Sequence, residues 1–248
     1  MRPERDLTAV DARAAALDER FAGASAEAIL AHTLDRTSFG QVALVSSFGA
    51  EAVVLLHLAA EIDRSVPVLF LETGMLFPET LGYQTEVADR LGLTDLRMIR
   101  PDADREDPDG RLHERDPDGC CALRKTRPLD DALRPFDAWI TGRKRFHSGA
   151  RATLPVFEAE PLTGRIKVNP LARWTPAEIA AHMAAHDLPR HPLVARGYPS
   201  IGCAPCTSPV AEGQAARSGR WHGQDKDECG IHFVNGRAVP RKTEGARP

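Results

Sequence analysis

The chain has 248 residues, of which 42% are hydrophobic and 27% charged, as is ordinary for a globular protein that folds in water. Its formal net charge of −3 argues against a broad nucleic-acid-binding surface. No apolar run approaches the ~18 residues needed to span a bilayer, and the N-terminus lacks the apolar stretch of a signal peptide. We therefore expect a cytoplasmic protein with reduced thiols and with no nucleic-acid or membrane partner.

Apolar segments with helical and strand periodicity alternate along most of the chain. Helical spacing covers residues 9–21 and 26–34, and a buried strand follows at 42–46. The next predicted elements are a helix ending near residue 62, a strand at 66–71, a helix at 78–91, and strands at 96–99 and 138–141. This alternation predicts an α/β fold with a parallel sheet flanked by helices.

Loops beyond the strand ends are the expected ligand site of such a sheet. They cover residues 46–51, 72–77 and 142–148, and they are rich in polar or small residues. Backbone N–H groups around Ser47 and Gly49, together with the dipole of the helix that follows, favour an anion or a nucleotide. Neither a phosphate-loop motif nor a dinucleotide fingerprint is present.

The rest of the sequence indicates where the α/β domain ends and a C-terminal segment begins. Charge and prolines at 102–118 predict a long surface loop, and Thr175 with Glu178 predicts the capped start of a helix over 175–186. Apolar content falls after residue 207. We therefore expect an α/β domain over 1–208 and a mobile C-terminal segment over 209–248.

Four of the five cysteines form two pairs. Cys120 and Cys121 are adjacent, whereas Cys203 and Cys206 enclose two residues. Thiolates bind zinc or iron–sulfur clusters. Neighbouring side chains on a helix diverge by about 100°, so adjacent ligands fit a bulky cube better than one small ion. The spacing therefore favours a four-iron cluster, and a structural zinc site is the alternative.

Cys229 is the cysteine outside these pairs. It lies between Lys226 and His232 in a polar segment, and Gly230 leaves space beside the sulfur. Nearby cations lower the pKa of a thiol and so increase its reactivity. An inert thiol is the alternative, but the segment is poor in core residues. This pattern favours a nucleophile.

Basic residues cluster near the cysteine pairs and the fourth strand. Lys125 comes four residues after Cys121, which is one α-helical turn, and Arg217 and Arg220 follow the second pair. Arg145 lies in the basic stretch 143–145, two residues before His147. Lys and Arg side chains that converge on one pocket suit a compact polyanion.

Taken in chain order, these features resemble the assimilatory sulfonucleotide reductases, over residues 42–232. The motifs that carry the resemblance are those at 47–51, 71–80, 120–125, 139–142, 169–171, 200–207, 219–221 and 228–232. The resemblance implies an adenine nucleotide α-hydrolase-like fold, related to the ATP pyrophosphatases. It also implies reduction of an activated sulfate through an enzyme S-sulfocysteine, with thioredoxin or glutaredoxin as the electron donor.

The resemblance also implies roles for individual residues. Cys229 and His232 would be catalytic. The substrate-binding residues would be Ser47, Gly49, Thr73, Lys125, Gly142, Arg145, Arg217 and Arg220. The ligands of one 4Fe–4S cluster per subunit would be Cys120, Cys121, Cys203 and Cys206. The sequence is also compatible with a homo-oligomer.

The four-cysteine form of this family typically uses adenylyl sulfate, which we expect to be the substrate. A phosphoadenylyl-sulfate reductase, or an enzyme that uses both nucleotides, is the alternative within the family. An ATP pyrophosphatase-type thiolation enzyme would need a phosphate loop that residues 46–51 lack. A zinc-stabilised binding module without catalysis is an alternative from a different class.

Overall fold

A computed structural model describes residues 7–147, 151–160 and 162–221, in which one six-stranded sheet carries helices on both faces. The strands are β1 (Val42–Ser46), β2 (Val68–Leu71), β3 (Leu96–Ile99), β4 (Ala138–Thr141), β5 (Phe157–Glu160) and β6 (Arg165–Val168). The helices are α1 (Leu7–Arg20), α2 (Ala26–Leu34), α3 (Arg36–Phe39), α4 (Ala52–Ala60), α5 (Pro78–Leu91), α6 (Leu112–Arg115), α7 (Pro117–Cys121), α8 (Arg127–Leu133) and α9 (Pro176–Ala185). No described helix is both long and apolar enough to cross a membrane.

The chain builds the sheet outward from β1 in both directions. The strand order is β3-β2-β1-β4-β6-β5, with β5 antiparallel to β6 and the other neighbours parallel. Leu44 of β1 is in register with Val68 on one side and Ile140 on the other. The strand order reverses between β1 and β4, since β2 and β3 lie on one side of β1 and β4 lies on the other. At such a point the loops after the two strands flank a crevice.

Alternate residues of the central strands pack on opposite faces. Leu44, Phe70 and Ile140 are fully buried in the larger core, which includes side chains of α1, α2, α4, α5 and α9. Ala43 and Trp139 belong to a smaller core on the other face, which α8 covers. Complete burial of each large apolar side chain contributes about 1.5–3 kcal/mol, which fixes the sheet that carries the loops.

Most of the predicted elements are confirmed. The bounds of α2, β1, α5, β3 and β4 are those that the periodicity predicts. Strands β5 and β6 were not predicted, because charged residues interrupt their apolar pattern. Glu160 of β5 and Arg165 of β6 face each other and form an ion pair of 3.0 Å, so the sheet accommodates these charges.

The expectation of a long surface loop at 102–118 is wrong in part. Helix α6 and the start of α7 lie in this stretch, and the side chain of Asp107 is fully buried. Asp107 accepts hydrogen bonds from the Leu112 backbone and from the Arg124 guanidinium. A high density of charge predicted solvent exposure, but these partners allow one carboxylate to be buried.

Candidate active site

A cleft of about 270 Å³ opens at the carboxyl ends of the central strands. Its walls come from the loops after β1, β2 and β4 and from residues 199–203 and 216–221. Among the described residues, the cations that line it are Lys125, Arg143, Lys144, Arg151, Arg217 and Arg220, and the one carboxylate is that of Glu51. This excess of positive charge suits an anionic ligand.

The loop after β1 is held by one aromatic side chain. Phe48 is fully buried against Phe70, with ring centroids 5.1 Å apart, and its backbone has a left-handed φ of 47°. The Ser46 hydroxyl accepts a hydrogen bond from the Phe48 N–H at 3.1 Å. As a result, Ser47 is exposed and lines the cleft together with Gly49. A Cβ at Gly49 would lie 3.3 Å from the Ile201 carbonyl oxygen, so a small residue suits this position.

Glu51 forms an ion pair at the start of α4. Lys144 Nζ donates to Glu51 Oε2 over 2.9 Å, and His147 Nε2 lies 3.1 Å from the same oxygen. Burial alone would raise the pKa of Glu51, but its bonds to His147 and Lys144 lower that pKa to about 2. Burial lowers the pKa of His147, although Glu51 opposes this. Glu51 is therefore ionised at pH 7, beside a neutral imidazole.

The two cysteine pairs come together from segments that are distant in sequence. Cys120 and Cys121 end α7, whose first turn is capped by the Asp116 side chain, which accepts from the Gly119 N–H at 2.9 Å. Cys203 forms an isolated β-bridge with Leu76. Tertiary structure thus places the later pair next to the loop that follows β2.

The described cysteines have the properties of a cluster-binding set. All four are free thiols; Cys120, Cys121 and Cys203 are buried, and Cys206 is half-buried. Burial raises the pKa of Cys120, Arg124 opposes this, and Cys203 and Cys206 add to the rise, so Cys120 is within electrostatic reach of the later pair. This all-thiol donor set fits the chemistry of an iron–sulfur cluster. Within the described ranges, no group of three or more His, Cys, Asp or Glu is arranged to hold a single metal ion.

Arg124 and Thr73 connect the cysteine pairs to the sheet. Arg124 Nη2 donates to Asp107 at 2.6 Å, and its Nη1 donates to the Thr73 carbonyl at 2.9 Å. The Thr73 hydroxyl lies 3.3 Å from the Cys203 sulfur. Gly74 follows with a left-handed φ of 72°, and a Cβ there would lie 3.2 Å from Arg124. The strand end, the buried arginine and the cysteine therefore form one packed unit.

Lys125 lies in a π-helical turn, Ala122–Thr126, between α7 and α8. The sequence predicts an ordinary α-helical turn between Cys121 and Lys125, and the wider π-turn replaces it. Short π-turns within helices are frequent at functional sites. Lys125 is 8% exposed and lines the cleft, so one short element carries both a cysteine pair and a cleft cation.

Most of the described predicted substrate-binding residues line the cleft. They are Ser47, Gly49, Thr73, Lys125, Gly142, Arg217 and Arg220. Arg145 is not among the lining residues; its Nε donates to the Leu154 carbonyl at 2.9 Å, so its role in binding stays a prediction. Cys229 and His232 lie outside the described residues, as does most of the predicted segment 209–248.

Sequence reasoning missed several residues of the cleft wall. Glu51 and Lys144 lie in the predicted ligand loops 46–51 and 142–148, and Lys144 in the basic stretch 143–145, but neither was assigned a role of its own. Arg151 lies beyond these loops, and Trp139 and Trp221 were noted only within motifs. No sequence pattern pairs Glu51 with Lys144, because 92 residues separate them and only the adjacency of β1 and β4 brings them together.

A buried ionic network lies behind the cleft. Arg143 Nη2 donates to Glu158 at 2.7 Å, and its Nε donates to Asn169 at 3.2 Å. Lys167 Nζ lies 3.3 Å from Glu158 and 4.8 Å from the centroid of the Trp139 ring. Burial and the charge of Arg143 lower the pKa of Lys167 while Glu158 opposes them, and together they bring that pKa to about 8. This network holds Arg143 at the cleft wall.

A second, more open groove of about 580 Å³ lies between α2 and α9. Trp174, Ile29 and Val156 supply apolar surface there, and Arg173 is the one Lys or Arg among its described lining residues. No described cysteine lines it. The cationic cleft at the strand ends is therefore the better candidate for an active site.

The phosphoadenosine phosphosulfate reductase domain matches this chain over residues 41–209. That span contains the whole sheet, the four described cysteines and most of the cleft wall. The chain belongs to this family, the sulfonucleotide reductases. The family membership predicted from the motifs is thereby confirmed.

Within the family, the chain is 50% identical over 227 residues to adenosine 5'-phosphosulfate reductase of Mesorhizobium japonicum, covering 90% of this chain and 89% of the relative. A protein of the same name from a Chelativorans species is 50% identical over 221 residues, with 88% and 89% covered. Phosphoadenosine 5'-phosphosulfate reductase of Gloeobacter violaceus is 42% identical over 212 residues, with 83% and 88% covered.

Solved structures support the same fold. A phosphoadenylyl-sulfate reductase from Candida auris, in complex with phosphate, has a TM-score of 0.69 and 26% identity, covering 85% of this chain and 100% of its own. FMN adenylyltransferase from Candida glabrata has a TM-score of 0.55 at 14% identity, covering 86% and 71%, and is similar in fold alone. The predicted adenine nucleotide α-hydrolase-like fold of this sulfonucleotide reductase is confirmed.

Proposed function

We propose that this chain reduces adenylyl sulfate to sulfite and AMP in assimilatory sulfate reduction, with thioredoxin or glutaredoxin as electron donor. The observation that carries the proposal is the shared cleft: in the part of the chain that the structure describes, Cys203 lines it together with six cations and one carboxylate. The names of the two relatives at 50% identity support the choice of substrate. A reducing cytoplasmic location accords with free thiols and a thiol donor.

Different residues of the cleft would bind different parts of the nucleotide. The loops with Ser47, Gly49, Thr73 and Gly142 are polar or small and lie at the strand ends, where nucleotides bind in folds of this kind. Lys125, Arg217 and Arg220 would bind the phosphosulfate, because charge-assisted hydrogen bonds to anionic oxygens are stronger than neutral ones. These contacts hold the sulfur in place for attack.

The reaction would proceed by two thiol exchanges. The Cys229 thiolate attacks the sulfate sulfur, an S–S bond forms, and the bond from that sulfur to the phosphate oxygen breaks, so AMP leaves with the electron pair. A thioredoxin thiolate then attacks the Cys229 sulfur and releases sulfite. The second thioredoxin thiol closes the donor's disulfide and frees Cys229. The two electrons come from the donor, which is oxidised, and the sulfur of the sulfate is reduced.

Two groups would assist this chemistry. A positive charge on His232, three residues from Cys229, favours the thiolate over the thiol. Cys120, Cys121, Cys203 and Cys206 would hold a 4Fe–4S cluster, one per subunit, which supplies structural support and an electrostatic field near the substrate. A structural zinc ion on the same thiols is the alternative. The thiols already supply both electrons, so the cluster needs no redox change.

An assay of anaerobically purified protein tests the proposal. With thioredoxin present, we expect sulfite from adenylyl sulfate with a kcat/KM at least about tenfold above that for phosphoadenylyl sulfate. Comparable values for the two nucleotides would instead favour the dual-substrate alternative. Without a reductant, mass spectrometry should detect a sulfonate group on Cys229.

Cys229→Ser is the matched variant for this assay. It should release no sulfite and form no sulfonate adduct, because serine cannot make the S–S bond, and it should keep the visible absorption of the cluster. Sulfite production by this variant would contradict the mechanism, and a colourless wild-type protein that contains zinc would contradict the iron–sulfur cluster.

A further inference from the structure

Gly202 lies against the side chain of Arg220. A Cβ at position 202 would lie 2.5 Å from Arg220 Cζ and 2.7 Å from its Nη1. Such distances are shorter than any van der Waals contact, so only glycine lets the guanidinium occupy this place. The contacted atoms belong to a long side chain. A methyl group at position 202 would therefore move Arg220 rather than the backbone.

Trp221 contacts the same guanidinium through its ring. Arg220 Cζ lies 4.5 Å from the ring centroid, and Arg217 Cζ lies 5.5 Å from it, both within cation–π range. Trp221 is 3% exposed, and its backbone N–H donates to the Cys206 carbonyl at 3.1 Å. Its backbone is left-handed, with φ of 51°. The Trp221 indole ring therefore contacts the guanidinium groups of both Arg217 and Arg220.

Arg220 itself has a donor without an acceptor. It is 9% exposed, and its Nε donates to the Cys206 carbonyl at 3.3 Å. Its Nη2 is buried and has no hydrogen-bond partner within the described part of the chain. Buried polar groups without partners are rare in proteins, and they often mark a place where a ligand or water binds. Arg220 also lines the cleft.

We propose that Gly202 and Trp221 are positioning residues that hold the Arg220 guanidinium in a slot, with Arg217 beside it, ready for an anionic group of the substrate. This proposal rests on the function proposed above and names two residues of its site that no sequence motif assigned to binding. The slot fixes a flexible side chain before the ligand arrives. Less conformational freedom is then lost on binding, so affinity for the anion increases.

Equilibrium binding to three ligands tests the slot in the cluster-loaded protein. The ligands are adenylyl sulfate, AMP and adenosine, which differ in charge but share the nucleoside. Gly202→Ala should displace the Arg220 guanidinium, and Trp221→Leu should leave it free to move. Each substitution should therefore weaken the binding of adenylyl sulfate about tenfold, and the binding of AMP by about tenfold or less. Adenosine binding should be unchanged.

Three further variants separate positioning from a purely structural role. Trp221→Phe keeps an aromatic face and should bind adenylyl sulfate within about threefold of wild type. Gly82→Ala is the control, because a Cβ at this helical glycine meets nothing within 4 Å. In an Arg220→Ala background, Gly202→Ala should cause no further loss, since it acts through Arg220.

Three results would overturn the slot: full additivity of Gly202→Ala and Arg220→Ala, an equal loss of adenosine binding, or Trp221→Phe as damaging as Trp221→Leu. Turnover by the wild type reports separately on the proposed function. A wild type that binds the nucleotide but releases no sulfite would refute the reaction. A wild type that turns over, with variants that bind normally, would refute only the slot.

Discussion

At the scale of single residues, the ammonium group of Lys167 is buried away from water. Its side chain is 1% exposed beneath the cleft wall, and Glu158 is its ionic partner. The folded-state pKa of about 8 lies below the ordinary value of 10.5. Between these two values the unfolded chain binds more protons than the folded chain, so stability contributed by this site rises with pH.

Lys167→Met should reveal this dependence. Relative to the variant, the wild type should gain roughly 2 kcal/mol of unfolding free energy between pH 7.5 and pH 10, because folded Lys167 loses its costly charge over this range. Urea unfolding of both proteins at these pH values measures the gap. In a Glu158→Gln protein, the gain in unfolding free energy should begin at a lower pH. A difference between wild type and Lys167→Met that does not change with pH would contradict the lowered pKa of Lys167.

Individual residues also separate what the motifs indicated from what packing decided. The motifs marked Lys125, Arg217 and Arg220 as cleft cations, and all three line the cleft. They also marked Arg145, whose guanidinium instead contacts the Leu154 carbonyl. In the stretch 143–145 the charges are equivalent in sequence. Only the backbone direction after β4 decides that Arg143 and Lys144 line the cleft.

At the scale of elements, α9 illustrates a local signal that holds in the structure. Thr175 Oγ1 accepts from the Glu178 N–H at 3.2 Å, and Glu178 Oε2 accepts from the Thr175 N–H at 2.7 Å. This reciprocal capping box is the one that the sequence predicts. Capping depends on residues within one turn, so it can be predicted without the rest of the fold.

Thr175→Ala should destabilise the protein by about 1 kcal/mol, because it removes one of these two bonds and leaves a backbone N–H without a protein acceptor. Thermal unfolding of the variant and the wild type under the same conditions would measure this loss of stability. Ala180→Ser, on the exposed face of the same helix, is the control and should cost about 0.5 kcal/mol or less. Equal losses in the two variants would argue against the cap.

The helix that carries Cys120 and Cys121 shows the opposite case. The π-turn at Ala122–Thr126 inserts extra backbone between the cysteines and α8. The residues within the turn are compatible with an ordinary α-helix, but Pro128, just after it, lacks the N–H that would bond to the Arg124 carbonyl, and so favours a local rearrangement of the helix. Burial of the Arg124 ion pair with Asp107 accompanies the turn. A local cause, Pro128, and a tertiary contact, the buried ion pair, therefore coincide in this element.

At the scale of the whole molecule, the proposed cluster would connect two distant segments of the chain. Cys120 and Cys203 are 83 positions apart in the sequence, and the fold brings them within electrostatic reach of each other. A group bound to both segments stabilises the folded chain, since the unfolded chain does not present the four thiols together. Catalysis at Cys229 is separate from this support.

Cys203→Ser should therefore lose iron and its visible absorption, and its Tm should fall by roughly 5 °C or more. Iron analysis and a thermal scan under anaerobic conditions measure both. Cys229→Ser serves as the control, and it should keep its iron and its Tm. A Cys203→Ser protein with full iron content would exclude Cys203 as a ligand.

The sequence by itself determined the family, the bounds of β1, β3 and β4, and the residue types available for chemistry. These depend on periodicity, capping and motif order, all of which are local in the chain. Tertiary structure decided which charges meet: the pairing of Glu51 with Lys144, the network under Trp139 and the slot around Arg220. The physical reason is that a charge is stable inside a protein only beside its partner. The strand order that brings such partners together is a property of the whole sheet.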